Sequence, residues 1–456
     1  MTASWPRQLR PLFPRGVVAL DEETLNAHAG DAWFASTRPE AVFFPRQAQD
    51  VAALLRFANR RKIPVTARGA GRGYVGGCVP KRGGIVVSFA KMNRILEINA
   101  VDGVGVVQPG VITGVFQAEA RQHGLLYPPD PASLKECSLG GNVATNAGGP
   151  RCLKYGVTRN YVLGLQVALA DGTLVRVGGR TQKNKTGFDL VGIFVGSEGL
   201  LGLVTEITLR LIPAPPARAV LSASFSSASI AAACVQQIFR EGFLPSSMEL
   251  ADRFTLEAAR KHLGAKHLPP GNAHLLLEID GQIPSVRSET RALAEILKLG
   301  GALEIATATT ETECERLWGL RREFSASLKA TGLTKLNEDI CVPRSRLVDL
   351  FDFTARLQKK YRVEVASFGH AGDGNIHVNI MADMKLPGVK KRTDLALDAL
   401  FKQIIAWGGA ITGEHGIGLA KLSWWPQAAS PELRRLHASV KKALDPNRIL
   451  NPGKFV

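Results

Sequence analysis

The chain has 456 residues, 45% apolar and 21% charged, which excludes a disordered or fibrous protein and calls for two or three domains. No apolar run reaches the ~18 residues of a membrane helix and none follows the basic start, so a cytoplasmic protein is expected, with peripheral attachment at the inner membrane face left open. Lysine plus arginine exceeds aspartate plus glutamate, 57 to 40, but this charge of +17 is scattered and no nucleic-acid-binding signature accompanies it, so a solvated basic surface is read and no nucleic-acid partner.

Residues 1–37 form an N-terminal segment. Ala41–Phe44 reads as a strand, and Val51, Leu54, Leu55 and Ala58 fall at helical spacing within Gln47–Arg61. Ile63–Ala67 is a second strand, ended by the glycine-rich run from Arg68 to Gly77. Ile85–Phe89 and Val104–Val107 are further strands, and Ile112–His123 is a helix. Asp130–Gly149 is then a long stretch of glycine and small polar residues, which a compact domain rarely keeps unless it binds something. The run Gly164–Arg210 is β-rich, and Pro213, Pro215 and Pro216 mark the clearest boundary. Beyond it strands (His274–Asp280, Leu303–Ala308) alternate with helices (Ser285–Leu299, Thr312–Ala330). Val363–Phe368 and Ile376–Met381 read as strands joined by a glycine turn, and Pro431–Leu444 as a last helix. The six cysteines are too far apart for a cluster or zinc motif, so the chain offers no second redox centre of its own.

Gly71-Arg-Gly-Tyr-Val-Gly76 matches the dinucleotide fingerprint in letters. A helix must open at the third glycine for that fingerprint to work, and Gly77, Pro80, Gly83 and Gly84 prevent one. A loop lending its own amides to a diphosphate is the better reading. Gly140–Gly149 and Gly196–Gly202 add two more sets of amides, with Ser133, Asn142, Thr145 and Asn146 as short polar partners. Three such loops suit a long ligand with a diphosphate and a hydrogen-bonding ring.

With Pro-Val-Thr-Ala-Arg-Gly-Ala-Gly, Gly-Gly-Asn-Val-Ala-Thr-Asn-Ala-Gly-Gly and Val-Gly-Ser-Glu-Gly in place, residues from about 38 to 213 resemble the FAD-binding domain of the vanillyl-alcohol oxidase (PCMH-type) superfamily. The resemblance implies that the first loop wraps the FAD diphosphate through Arg68, Gly69, Ala70, Gly71, Arg72, Gly73, Gly76 and Gly77. It implies further contacts from Asp130, Ser133, Gly140, Gly141, Asn142, Thr145, Asn146, Gly199 and Val204. Some members tether the flavin through a histidine in the first loop; this loop has none, which implies non-covalent FAD. Arg72, Tyr74 and Leu200 depart from the usual residues.

The second half holds His370-Ala-Gly-Asp-Gly-Asn-Ile-His377-Val-Asn379 and Gly413-Glu414-His415-Gly. Alternation puts His377 and Asn379 on one face of their strand, and the glycine turn lets His370 fold back towards it. His370, His377 and Glu414 are two imidazoles and a carboxylate, a set that suits Zn²⁺, with Mn²⁺ or Fe²⁺ as alternatives. His415, in a glycine loop beside Glu414, reads as a general base, or alternatively as another ligand. Arg321 and Ser325 form an i, i+4 pair that could clamp a carboxylate, and Lys335 could add charge.

These motifs, with Leu317-Trp-x-x-Arg-Arg322 and Asn451-Pro-Gly-Lys454, make residues from about 216 to 454 resemble the C-terminal domain of D-lactate dehydrogenases, glycolate oxidase flavoprotein subunits and D-2-hydroxyglutarate dehydrogenases. The resemblance implies an α+β protein: a two-part PCMH-type FAD-binding domain (38–213), an α+β, ferredoxin-like substrate cap domain (214–420) and a C-terminal segment (421–456) returning to the FAD domain. It implies Arg321, Ser325, Lys335 and Asn379 at a small anionic 2-hydroxy acid, His370, His377 and Glu414 on the metal, His415 as base, and Asn375 and Asn451 near the flavin. Electrons are expected to leave for a quinone, cytochrome, electron-transfer flavoprotein or iron–sulfur subunit, and a homodimer is left open. The rival readings are an oxygen-using oxidase, a D-2-hydroxyglutarate dehydrogenase and, more remotely, a metal-dependent hydrolase.

Overall fold

The computed structural model describes residues 5–264 and 268–456, so the first four residues of the expected N-terminal segment lie outside the described residues. Contacts divide the chain into two units. One runs to Gly148 and takes in 157–214 and 414–456; the other consists of 149–156 and 215–413.

The first unit holds two larger sheets and a two-stranded pairing of 125–126 with 212–213. Strands β1 (Val18–Ala19), β2 (Ala41–Phe43), β3 (Val65–Arg68) and β4 (Ile85–Ser88) lie in the order β1-β2-β4-β3. Both β2 and β3 run parallel to β4, and helix α1 (Ala48–Arg61) joins β2 to β3. The helical periodicity of its sequence is realised: Val51, Leu54, Leu55 and Ala58 are fully buried in a core shared with Phe43, Val65 and Ile85. Leu9 and Val17 from the N-terminal segment close the same core. The second sheet is antiparallel, with β5 (Ile95–Asn99), β6 (Val104–Val107), β7 (Val162–Ala168), β8 (Leu174–Gly178) and β9 (Leu203–Arg210) in the order β5-β6-β9-β7-β8. Along β9 burial alternates residue by residue, the period of a strand with one face inward. Helix α2 (Thr113–Gln122) follows β6 as expected.

The glycine-rich stretch 130–149 is not all loop. It contains the short helix α3 (Leu139–Thr145), opened by Ser138, whose hydroxyl accepts the Gly141 N–H at 3.3 Å, and held by buried Leu139 and Val143.

The second unit is built on one seven-stranded antiparallel sheet. Its strands are β10 (Ala217–Phe225), β11 (Ser247–Ala251), β12 (Ala273–Gly281), β13 (Glu304–Ala308), β14 (Thr334–Cys341), β15 (Glu364–His370) and β16 (Asn375–Ala382). They are ordered β13-β10-β12-β11-β15-β16-β14. The helix expected over Thr312–Ala330 is two: α4 (Glu311–Arg322) and α5 (Phe324–Ala330), meeting at Glu323. The halves serve different apolar clusters, Cys314, Leu317 and Trp318 packing with Val220 and Leu276, and Phe324 and Leu328 with Phe368 and Met381. One straight helix could not fill both.

Candidate active site

Within the first unit the three glycine loops and the C-terminal tail converge. A side chain on Gly69 would strike the Ser138 hydroxyl and crowd Gly141, so only glycine lets the first loop lie against the start of α3. The third loop is tied to the end of α3 by Gly196 N–H to Val143 O and Glu198 N–H to Ala144 O, both 2.8 Å. Asn451 then bridges the first and third loops, its Nδ2 donating to Gly77 O (3.0 Å) and Glu198 O (2.8 Å). The half-buried Glu198 carboxylate accepts the amides of Ile417 (2.8 Å) and Gly418 (2.9 Å), which fixes the loop after His415. Burial pushes its pKa up, against those amides, which pull it down. Sequence reading used Glu198 only as a letter in a glycine motif and missed this anchor.

Several expected cofactor residues spend their side chains within the unit. Asn142 Nδ2 donates to the Thr113 hydroxyl (2.7 Å), Thr145 back-bonds to Gly141 O (3.2 Å), and Asn146 accepts the Arg159 N–H (2.9 Å). Arg68 reaches Gly30 O and Cys78, and Arg72 pairs with Glu136 at 2.9 Å on the surface. Asp130 is buried, whereas Ser133 is half-buried. His415 lies beside the Tyr74 ring, centroids 5.5 Å apart.

In the second unit the turn between β15 and β16 brings His370 and His377 together, ring centroids 5.7 Å apart and nearly perpendicular. Gly374 (φ +86°) makes this turn against Val342 O, where a side chain would collide. Register places Glu249 of β11 opposite His370, and its carboxylate accepts from His370 Nδ1 (2.6 Å) and Arg321 Nε (2.6 Å). Burial alone would raise this carboxyl; the Arg321 guanidinium and His370 outweigh it and hold it at about 2. Arg321 and Arg322 part company: Arg322 pairs with Glu315 in solvent, while Arg321 points inward over the Phe368 ring at 4.9 Å. Lys335 also lies over Phe368, 5.5 Å from its centroid, and donates to Ser325 at 2.9 Å. Asn379 is fully buried; Nδ2 donates to Ala366 O and His377 O, and Oδ1 has no partner. Asn375 donates to Asp339 (2.6 Å), whose carboxylate also takes the Thr412 hydroxyl and the Gly413 N–H at 3.0 Å each. Asp339 lies 3.8 Å from His377 Nδ1. The sequence reading gave a role to neither Glu249 nor Asp339.

Burial pulls Lys335 down to about 8 from the ordinary 10.5, with help from Lys329 and Arg321. Below that pH its ammonium is present; above it the group turns neutral. If Lys335 grips an anionic substrate, KM should rise as pH passes about 8, by up to about tenfold per unit, with kcat changing less. Steady-state rates from about pH 6.5 to 9.5 would test this, and Lys335→Met should remove the limb by leaving KM high throughout.

Converging amide-rich loops on a two-sheet α+β unit are the marks of a flavin-dinucleotide enzyme. The residues fit FAD: the buried Asn451 Oδ1 has no partner, and a side chain on Gly77 would meet nothing within 4 Å. The profile of the FAD binding domain matches residues 39–178, and that of FAD linked oxidases, C-terminal domain, matches 214–455. The chain is 38% identical to glycolate oxidase subunit GlcD of Bacillus subtilis, over 91% of this chain and 89% of that one. It is 34% identical to D-lactate dehydrogenase of Anaerostipes hadrus, over 100% and 98%. Among solved structures, p-cresol methylhydroxylase superposes with a TM-score of 0.80 at 20% identity, covering 99% of this chain and 96% of that one, which establishes the PCMH-type fold. The chain belongs to the FAD-linked oxidases. No helix among the described residues is long and apolar enough to cross a membrane.

Proposed function

We propose that the protein oxidises a small 2-hydroxy acid of the D-lactate or glycolate type to the 2-oxo acid, holds FAD non-covalently and passes the electrons to an acceptor other than a nicotinamide. The observation that carries this reading is the grouping in the second unit of two cations, Arg321 and Lys335, on one aromatic ring, with paired imidazoles linked to Arg321 through Glu249. The names of the relatives support the same substrate class.

In this reading Arg321 and Lys335 hold the substrate carboxylate, with Ser325 fixing the Lys335 ammonium and Asn379 lining the pocket. His370 and His377 with Glu414 would hold a divalent cation, Zn²⁺ by preference and Mn²⁺ or Fe²⁺ as alternatives, which acidifies the substrate hydroxyl. The Glu414 assignment is supported by its neighbour Gly413, which Asp339 holds by its N–H close to His377. His415 takes the hydroxyl proton. FAD, when bound along the glycine loops and Asn451, supplies the hydride acceptor.

Anaerobic mixing of the purified protein with D-lactate, L-lactate, glycolate and D-2-hydroxyglutarate tests the proposal. Bleaching of the flavin by D-lactate or glycolate is the expected result. No bleaching by any of the four, with a bound flavin that dithionite still reduces, would overturn it.

A further inference from the structure

We infer that Glu249 is a positioning residue that couples the two halves of this site: it sets which nitrogen of His370 is available for a cation and, through the same carboxylate, aims Arg321 at the substrate. This inference rests on the metal and substrate roles proposed above for His370 and Arg321. The carboxylate is fully buried and has one donor residue on each side, His370 Nδ1 at 2.6 Å from Oε1, and Arg321 with Nε at 2.6 Å and Nη2 at 2.5 Å from Oε2. An ionised carboxylate can only accept, so His370 must carry its proton on Nδ1, which leaves the lone pair on Nε2 as the ligating one. The guanidinium is always a donor and uses its Nε side on Glu249, which directs the rest of its fork towards Phe368 and Lys335. The pairing is fixed by the fold, because Glu249 and His370 stand opposite each other in the β11–β15 ladder.

One side chain therefore faces two donors, and glutamine cannot replace it. In Glu249→Gln the amide offers one oxygen and one NH₂. If the NH₂ faces His370, Nδ1 must accept, the proton moves to Nε2, and the ligating lone pair is lost. If it faces Arg321, donor meets donor and the guanidinium is turned away. Either arrangement damages one function, and exchange between the two damages both.

The test has two arms. In the unsubstituted protein, freed of metal and labelled with ¹⁵N-histidine, the His370 resonance identified by its loss in His370→Asn should be that of the Nδ1–H tautomer. An Nε2–H tautomer overturns the inference. In Glu249→Gln, titration with Zn²⁺ against a chromophoric chelator should show affinity weakened about 10–100-fold, and KM for the 2-hydroxy acid should rise with it. The melting curve and bound flavin are recorded on the same sample. Zn²⁺ affinity and KM both within about twofold of the unsubstituted protein overturn the inference. If the unsubstituted protein takes up no Zn²⁺ while His377→Ala leaves substrate oxidation intact, the metal reading fails instead, and the tautomer and KM still decide the role of Glu249.

Discussion

Replacing His415 by alanine is expected to slow reduction of the bound flavin by substrate about 10²–10⁴-fold while leaving the flavin in place. The imidazole sits on a loop whose anchors lie outside it: the Glu198 carboxylate takes the amides of Ile417 and Gly418, and Leu419 N–H bonds to Val75 O. Removing the ring breaks none of these; the ring itself packs beside Tyr74. The flavin spectrum of His415→Ala should therefore match that of the parent, and only stopped-flow reduction should change. A metal assay on the same variant separates the two roles open to this histidine. A base leaves Zn²⁺ content unchanged, whereas a ligand takes Zn²⁺ with it. Reduction at the parental rate would remove His415 from the chemistry.

Local features were legible in the sequence, and long-range ones were not. The buried face of α1 follows from apolar residues at helical spacing, and the closeness of His370 and His377 follows from strand alternation and a glycine turn. Glu249 was invisible because its meaning lies in the pairing of β11 with β15, strands far apart in the chain. The same holds for residues 149–156, of which only Gly149 was singled out, as the end of a glycine-rich stretch. They belong to the second unit, where Arg151 pairs with Glu278 at 2.7 Å and Lys154 with Asp280 at 2.5 Å. Glu278 also accepts from Arg218 and the Trp318 indole, so an acid in the middle of an apolar strand ties three other segments to it. Strand order in the seven-stranded sheet could not be read either, since its five inner strands share a near-continuous buried pattern. The break at Glu323 was missed because helical periodicity continues across it while the packing partners change.

Asp445→Ala should be the most destabilising single change outside the chemistry, at about 3–5 kcal/mol. By spacing, Lys441 and Asp445 form an ordinary i, i+4 pair near the end of the C-terminal helix, a motif worth only about 0.3–0.5 kcal/mol on a surface. Here the pair is 2.6 Å apart and its side chains are 2% and 0% exposed. The Lys441 ammonium also donates to Leu200 O and Leu450 O at 2.7 Å each. Asp445 accepts the amides of Ile449 (3.0 Å) and Leu450 (2.8 Å), and so holds the turn in which Arg448 and Asn451 take left-handed backbone conformations. Alanine would leave a buried cation and two amides without their acceptor, and the turn would lose what offsets its strain. Because Asn451 bridges Gly77 and Glu198 from that turn, FAD should bind more weakly as well, and added FAD should recover part of the lost melting temperature. Pairing the change with Lys441→Met removes the uncompensated charge and should restore part of the stability. A loss below about 1 kcal/mol in Asp445→Ala would mean that the pair behaves as a surface one, and that something else holds the tail against the flavin loops.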